Sequence, residues 1–328
     1  MSPQPHNPLA GKVASWRGTG LRFAGTGHYY PRERRDQVHG VALGARSYSA
    51  EDVAQLGVRG LHRAAQDEPL EYMAQQAGRA ALDDAGCAPA QIDLLILANW
   101  TERQWIPELA PQVAALIDAP QALAFDLCGA CTGFVHAVQV AASMLAAGRA
   151  WRRALVIAAD RFSHRARPGT RGQLVFGDAA GAVVLERVEE GQPGLLLSVL
   201  HHDAAQADTV AARDGWLRPK PELIELAVRS SVYAAETLLG AQGLDVDEID
   251  WLIPHPGNNA IHSQVLDRIG LPPGRFLTNF AQRGNTGCAS IPIALSEFRA
   301  NGLLKPGHLV LSTAVGSGWY YGGLLYQL

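Results

Sequence analysis

Cysteine is scarce: Cys87, Cys128, Cys131 and Cys288 are the only four in 328 residues. So few thiols exclude a disulfide-built scaffold and imply a reducing, cytoplasmic setting. Charge is low as well, at 18 % of residues and a net of −3. No Lys/Arg-rich block carries interleaved aromatics, so nothing suggests nucleic-acid binding. No run approaches the ~18 uninterrupted apolar residues of a bilayer span, and no membrane association is expected. Met1 to Lys12 is polar and contains proline, without the apolar core of a signal peptide. What remains is an apolar chain, 48 % hydrophobic, with the composition of an enzyme built on buried sheets.

Within that background Cys131 stands out. It sits between an apolar, strand-like run ending near Leu127 and a helix-like run from Val135 to Ala147. A thiol at the first turn of a helix meets free N–H groups and partial positive charge, which favour the thiolate. Such a thiolate is a nucleophile for covalent catalysis. A small cysteine packed at a helix start is the plainer alternative.

The chain is also internally duplicated. Residues 80–96 and 237–253 share one pattern: the end of an amphipathic helix, a glycine stop, a short polar turn and a buried strand. Gly86 and Gly243 lie 157 positions apart, as do Ile92 and Ile249, and Cys131 and Cys288. Ala146 to Gly148 before one strand resembles Ala300 to Gly302 before another. Two halves, 1–190 and 191–328, are therefore expected, each alternating strands and helices into a helix-covered sheet. The run 131–147 is rich in Ala and Val on every face, as a helix buried between two sheets must be.

Three further stretches place polar chemistry at strand ends, where functional residues concentrate. His255 follows the run Trp251 to Pro254, Asn285 sits in a small-residue turn before a helix, and Gly316-Ser317-Gly318 forms a tight turn near the C-terminus. Singly, each has an ordinary structural reading: a satisfied turn histidine, an N-cap, a simple turn. Together they supply a nucleophile, a base or donor, an amide donor and backbone N–H groups that a ligand can approach. That is a working set for acyl transfer.

From about Gly18 to Leu328 the chain resembles the β-ketoacyl-acyl-carrier-protein synthase III family of the thiolase superfamily. The markers are Gly25-Thr26-Gly27, Ala130 to Phe134 around Cys131, and Phe176 to Ala182. They continue with Ile253-Pro254-His255, Gly284 to Gly287, and the closing Gly316-Ser317-Gly318 and Gly322. The resemblance implies an α/β thiolase fold: a duplicated five-layer αβαβα stack with two mixed sheets around buried central helices. It implies a homodimer. It maps a catalytic triad onto Cys131, His255 and Asn285, and an oxyanion hole onto the backbone N–H groups of Cys131 and Ser317. Substrate contacts fall on Asn258, Arg171, Ile106, Phe134 and Gly316. No metal and no cofactor is implied; acyl-coenzyme A or acyl carrier protein, through phosphopantetheine thioesters, are the substrates and partners. The implied activity is acylation of Cys131, then decarboxylative condensation with a malonyl-type thioester, in fatty-acid or polyketide biosynthesis.

The sequence departs from the family pattern in three places. Pro256-Gly257 follow the histidine where the family usually has Gln-Ala, although Asn258 keeps its position. Between Ala50 and Arg59 the coenzyme-A-stacking tryptophan and the first arginine are absent, while Arg59 and Arg171 remain. The connection from Pro193 to Pro221, through His201-His202 and Trp216, is short, which implies a reshaped pocket and a specialised homologue. The pair Cys128/Cys131 has the spacing of a redox or zinc motif, but no second pair accompanies it. His201-His202 is expected in a solvated loop. Acyl transfer from Cys131 to an alcohol or amine without condensation is the alternative activity. A non-catalytic partner subunit, like the chain-length factors of paired ketosynthases, would lack the nucleophile that this chain keeps.

Overall fold

The computed structural model describes residues 12–37, 39–147, 150–189, 194–272 and 274–328. The polar N-terminal segment 1–11, Gly148 of the repeat and Pro193 at the start of the connection lie outside the described residues.

Two five-stranded sheets form the frame. In the first, Leu21–Tyr29, Asp178–Arg187, Arg153–Arg161, Leu94–Ala98 and Leu123–Leu127 lie in that order. Leu94–Ala98 runs parallel to both its neighbours, and the other pairs are antiparallel. In the second the order is Val13–Ser15, Leu195–His202, Tyr320–Gln327, Leu309–Gly316 and Trp251–Leu252. Only its last pair is parallel. The second sheet thus takes its edge strand from the N-terminal end of the chain, with Val13 opposite Val199.

Strand alternation explains the layering. Leu94, Ile96 and Ala98 face one way, into a core shared with helices Gly133–Ala147 and Ser290–Ala300 and with the second sheet. Leu95 and Leu97 face the other way, against helices Leu70–Ala85 and Leu109–Leu116. A strand buried on both faces reads as a continuous apolar run rather than an alternating one. Helix Leu223–Gln242 covers the outer face of the second sheet, with helix Asn259–Ile269 against it. The result is the αβαβα stack, with the two central helices between the sheets. The segment 130–147 is apolar enough to pass for a membrane span, yet half of it is buried and it packs as a core helix.

The duplication is visible element by element. Short turns Pro89–Gln91 and Val246–Glu248, and Ala130–Thr132 and Gly287–Ala289, are each offset by 157 positions. So are the starts of strands Leu94–Ala98 and Trp251–Leu252 and of helices Gly133–Ala147 and Ser290–Ala300. The short connection between the halves folds as strand Leu195–His202 and a hairpin, Val210–Arg213 with Trp216–Pro219. His201 and His202 therefore end a strand rather than occupy a loop. Pairing opposite Tyr321 and Tyr320 holds them there.

Candidate active site

Cys131 stands where strand Leu123–Leu127 turns into helix Gly133–Ala147. The turn is closed by Thr132, whose amide and hydroxyl both donate to the Gly129 carbonyl, at 3.0 and 2.6 Å. Ala130 takes a left-handed φ of 45°, a conformation most side chains avoid. Its repeat counterpart, Gly287, takes the same kind of φ at 62°. The end of strand Leu309–Gly316 packs against this turn. A Cβ on Gly316 would lie 3.0 Å from the amide nitrogens of both Cys131 and Thr132, so glycine keeps the Cys131 amide, which has no carbonyl partner in the turn, uncovered.

His255 follows strand Trp251–Leu252, and its amide donates to the Thr313 carbonyl at 2.7 Å. This bond pins the histidine to strand Leu309–Gly316, beside the Cys131 turn. Burial pulls the imidazole pKa down to about 3, with His262 adding a smaller push in the same direction and a hydrogen bond to the Gly287 backbone opposing both. His255 is therefore neutral at physiological pH.

Asn285 is buried and held on four sides. Its amide donates to Val175 O (2.7 Å), and its carbonyl accepts from Gly177 N (2.9 Å). Its side-chain Oδ1 accepts from Gly287 N, and its Nδ2 donates to Gly257 O, both at 3.0 Å. One Nδ2 hydrogen is left for a ligand. Gly284 before it is obligatory on two counts: a φ of 68°, and a Cβ that would fall 2.3 Å from Val175 O.

Cys131, His255 and Asn285 all line one cavity of about 690 Å³. Arg171, Asn258, Gly316 and Ser317 line it too. Asn258 also caps helix Asn259–Ile269, its Oδ1 accepting from Ile261 N at 3.0 Å. The hairpin of the short connection contributes Val210, Ala212, Leu217 and Pro219, so the connection does shape the pocket. Gln55 and Leu56 line the stretch where the family's tryptophan is missing. The stacked rings of Phe162 and Phe176, 4.2 Å apart, form another wall. A second cleft of about 730 Å³ shares Arg171, Gly172, Phe176, Leu217 and Pro219 with this cavity, and adds Arg46, Arg167 and Arg218.

Several expectations need correction. Phe134 does not line the cavity: it is 1 % exposed and points into the core between the sheets, because it lies on the inward face of its helix. Ile106 is 94 % exposed, on the loop before Pro107, and does not line the cavity. The helix-start position predicts a thiol lowered towards the thiolate, but the Cys131 thiol is pushed well above its ordinary pKa. Burial is the main cause and the charge of Asp160 the second, outweighing a hydrogen bond with the backbone amide of Cys131 itself. Sequence reasoning passed over Asp160, a completely buried carboxylate. The signal was available: Asp160 is the repeat counterpart of Ser317.

Fold and site together define a thiolase-fold synthase. The structure superposes on 3-oxoacyl-[acyl-carrier-protein] synthase III from Aquifex aeolicus VF5 with a TM-score of 0.85 and 31 % identity, covering 94 % of this chain and 100 % of that one. It superposes on the priming β-ketosynthase of the R1128 polyketide pathway with a TM-score of 0.81 and 27 % identity, covering 94 % and 97 %. The 3-oxoacyl-[acyl-carrier-protein (ACP)] synthase III profile matches residues 125–204, and that family's C-terminal profile matches 239–328. A β-ketoacyl-[acyl-carrier-protein] synthase III of Rhizorhabdus wittichii is 36 % identical over 311 residues, 91 % of this chain and 96 % of that protein. One from Rhodospirillum rubrum is 35 % identical, covering 95 % and 100 %. The chain belongs to the β-ketoacyl-[acyl-carrier-protein] synthase III family and is an enzyme of that condensing class.

Proposed function

We propose that the cavity condenses an acyl thioester with a malonyl-type thioester, using Cys131 as nucleophile. The observation that carries this is the convergence of Cys131, His255 and Asn285 on one cavity, with Gly316 leaving the Cys131 amide uncovered. In the first half-reaction the Cys131 sulfur attacks the starter carbonyl, the carbon–sulfur bond to the carrier thiol breaks, and the thiol proton ends on the departing thiol. The neutral imidazole of His255 is suited to relay that proton. The tetrahedral oxyanion is held by the backbone N–H groups of Cys131 and Ser317. A resting thiol held in protonated form suits a nucleophile that is activated only when substrate arrives.

In the second half-reaction His255 and the free Nδ2 hydrogen of Asn285 hold the extender's thioester carbonyl. Loss of carbon dioxide leaves an enolate, whose carbon attacks the acyl-Cys131 carbonyl. The β-ketoacyl thioester departs, and Cys131 regains a proton. The working unit proposed is a cytoplasmic homodimer, and the starter arrives on coenzyme A or on acyl carrier protein.

Mass spectrometry after mixing with an acyl donor should find one adduct, on Cys131. Asn285→Ala should still acquire it while losing carbon dioxide release from malonyl carrier protein by roughly 100-fold or more. An adduct on Cys128, or loss of acylation in a folded Asn285→Ala protein, contradicts these assignments. Transfer of the acyl group to an alcohol or amine with no carbon dioxide release would establish simple acyl transfer instead.

A further inference from the structure

Asp160 lies near the end of strand Arg153–Arg161 with none of its surface exposed. The hydrogen bonds to its side chain all come from donors aimed at the carboxylate. Oδ1 accepts from the Thr101 hydroxyl at 3.0 Å and from the amides of Trp100 and Thr101 at 3.3 Å. Oδ2 accepts from the Cys288 amide at 2.9 Å. Gly287 is pressed so close that a Cβ there would sit 2.2 Å from Oδ2. The Gly287 amide in turn donates to Asn285 Oδ1. The carboxylate, the turn Gly287–Ala289 and the Asn285 side chain thus form one continuous chain of contacts.

The duplication gives this chain a meaning. Cys288 is the counterpart of Cys131, and Asp160 the counterpart of Ser317. The two short turns open the two central helices in the same way. At one of them the Cys131 amide faces the cavity; at the other the Cys288 amide is occupied by a carboxylate oxygen. A helix start is a natural anion site, and here the protein fills the duplicate with an anion of its own.

We propose that Asp160 is a positioning residue for condensation: it fills the duplicate of the oxyanion site and thereby fixes the turn that orients the Asn285 amide. The proposal rests on the condensation reading above. Its negative charge also works against the Cys131 thiolate, so its two effects on the two half-reactions have opposite signs. A purely structural residue would weaken both together.

Asp160→Asn keeps the size but turns one acceptor into a donor facing N–H groups. Alkylation of Cys131 by iodoacetamide should become several-fold faster, and acylation should persist. Carbon dioxide release from malonyl carrier protein should fall at least about tenfold, part of the ~100-fold that such a donor supplies. Thr101→Val, which withdraws a single donor from Oδ1 but leaves the charge in place, should lower carbon dioxide release more weakly, with acylation and alkylation no faster than in wild type, and carries the test of the positioning role should Asp160→Asn prove insoluble. Undiminished decarboxylation in a soluble variant, or equal losses in both half-reactions, overturns the role of Asp160. If the acylated wild-type enzyme itself releases no carbon dioxide, the condensation reading fails, and this proposal fails with it.

Discussion

Gly316 shows how much a single missing methyl group can matter. Its absent Cβ is what leaves the Cys131 amide uncovered. Gly316→Ala should therefore slow Cys131 acylation by roughly 100-fold, the usual effect of losing one oxyanion donor. Stopped-flow thiol release measures it, and an acylation rate within threefold of wild type would remove the Cys131 amide from the oxyanion hole. The residues that could be read from the sequence were those whose chemistry is conspicuous at a strand end: Cys131, His255 and Asn285. Asp160 is inconspicuous as one carboxylate in an otherwise apolar strand, and only its offset of 157 from Ser317 marks it before its donors are known. The resemblance puts Phe134 among the substrate contacts, but it does not say which side of the helix the residue faces, and here that side is the core. The thiol's pKa was misjudged for a related reason. The helix start is local and legible, whereas burial and the charge of Asp160 come from distant parts of the chain.

Among the elements, the two outer helices end alike. Gly86 after Leu70–Ala85 and Gly243 after Leu223–Gln242 adopt left-handed φ values of 59° and 73°. Each donates its amide back into the last turn, and neither has an atom within 4 Å of a would-be Cβ. Alanine at either site should then cost about 1 kcal/mol through backbone strain alone. The two sites are distant, so the double variant should lose the sum. Urea denaturation checks this, and a double variant that loses no more than either single one would contradict it. The glycine stops, the strands after them and the offset between halves were legible because local rules set them. The hairpin of the short connection was not. Its length suggested a reshaped pocket, but the placing of Val210, Ala212, Leu217 and Pro219 against the cavity depends on packing across the whole second half.

For the whole molecule the open matter is the starter's carrier. Trp105, which is 80 % exposed, and Trp216 are the aromatics that could take over from the missing stacking tryptophan, but neither lines the cavity. Instead, Arg46, Arg167, Arg171 and Arg218 line the cleft that joins the cavity. Of these four, Arg218 is paired with Asp214 at 2.8 Å, and the charge of Arg171 acts on Asp52. Such a cleft suits an acidic carrier surface or the phosphate of a pantetheine arm. Loss of aromatic stacking, worth roughly 1–3 kcal/mol, weakens an adenine-bearing donor in particular. A carrier-bound starter should therefore show the higher kcat/KM for the same acyl group. A tenfold preference for the coenzyme A ester would point to a relocated adenine site.

The central pair of helices has a consequence for the history of the chain. Gly133–Ala147 is apolar nearly all round, and its burial comes from both sheets at once. Cut between the halves, the first fragment would carry that helix bare on its surface, and Val13–Ser15 would have no strand to pair with. Neither fragment should be soluble alone. A half-length version of this fold would need a second copy to cover that helix, bringing two equivalent thiol-bearing turns together. In a fused chain the two turns are free to differ: at one the Cys288 amide is capped by Asp160 at 2.9 Å, and at the other the carboxylate's place is taken by Ser317.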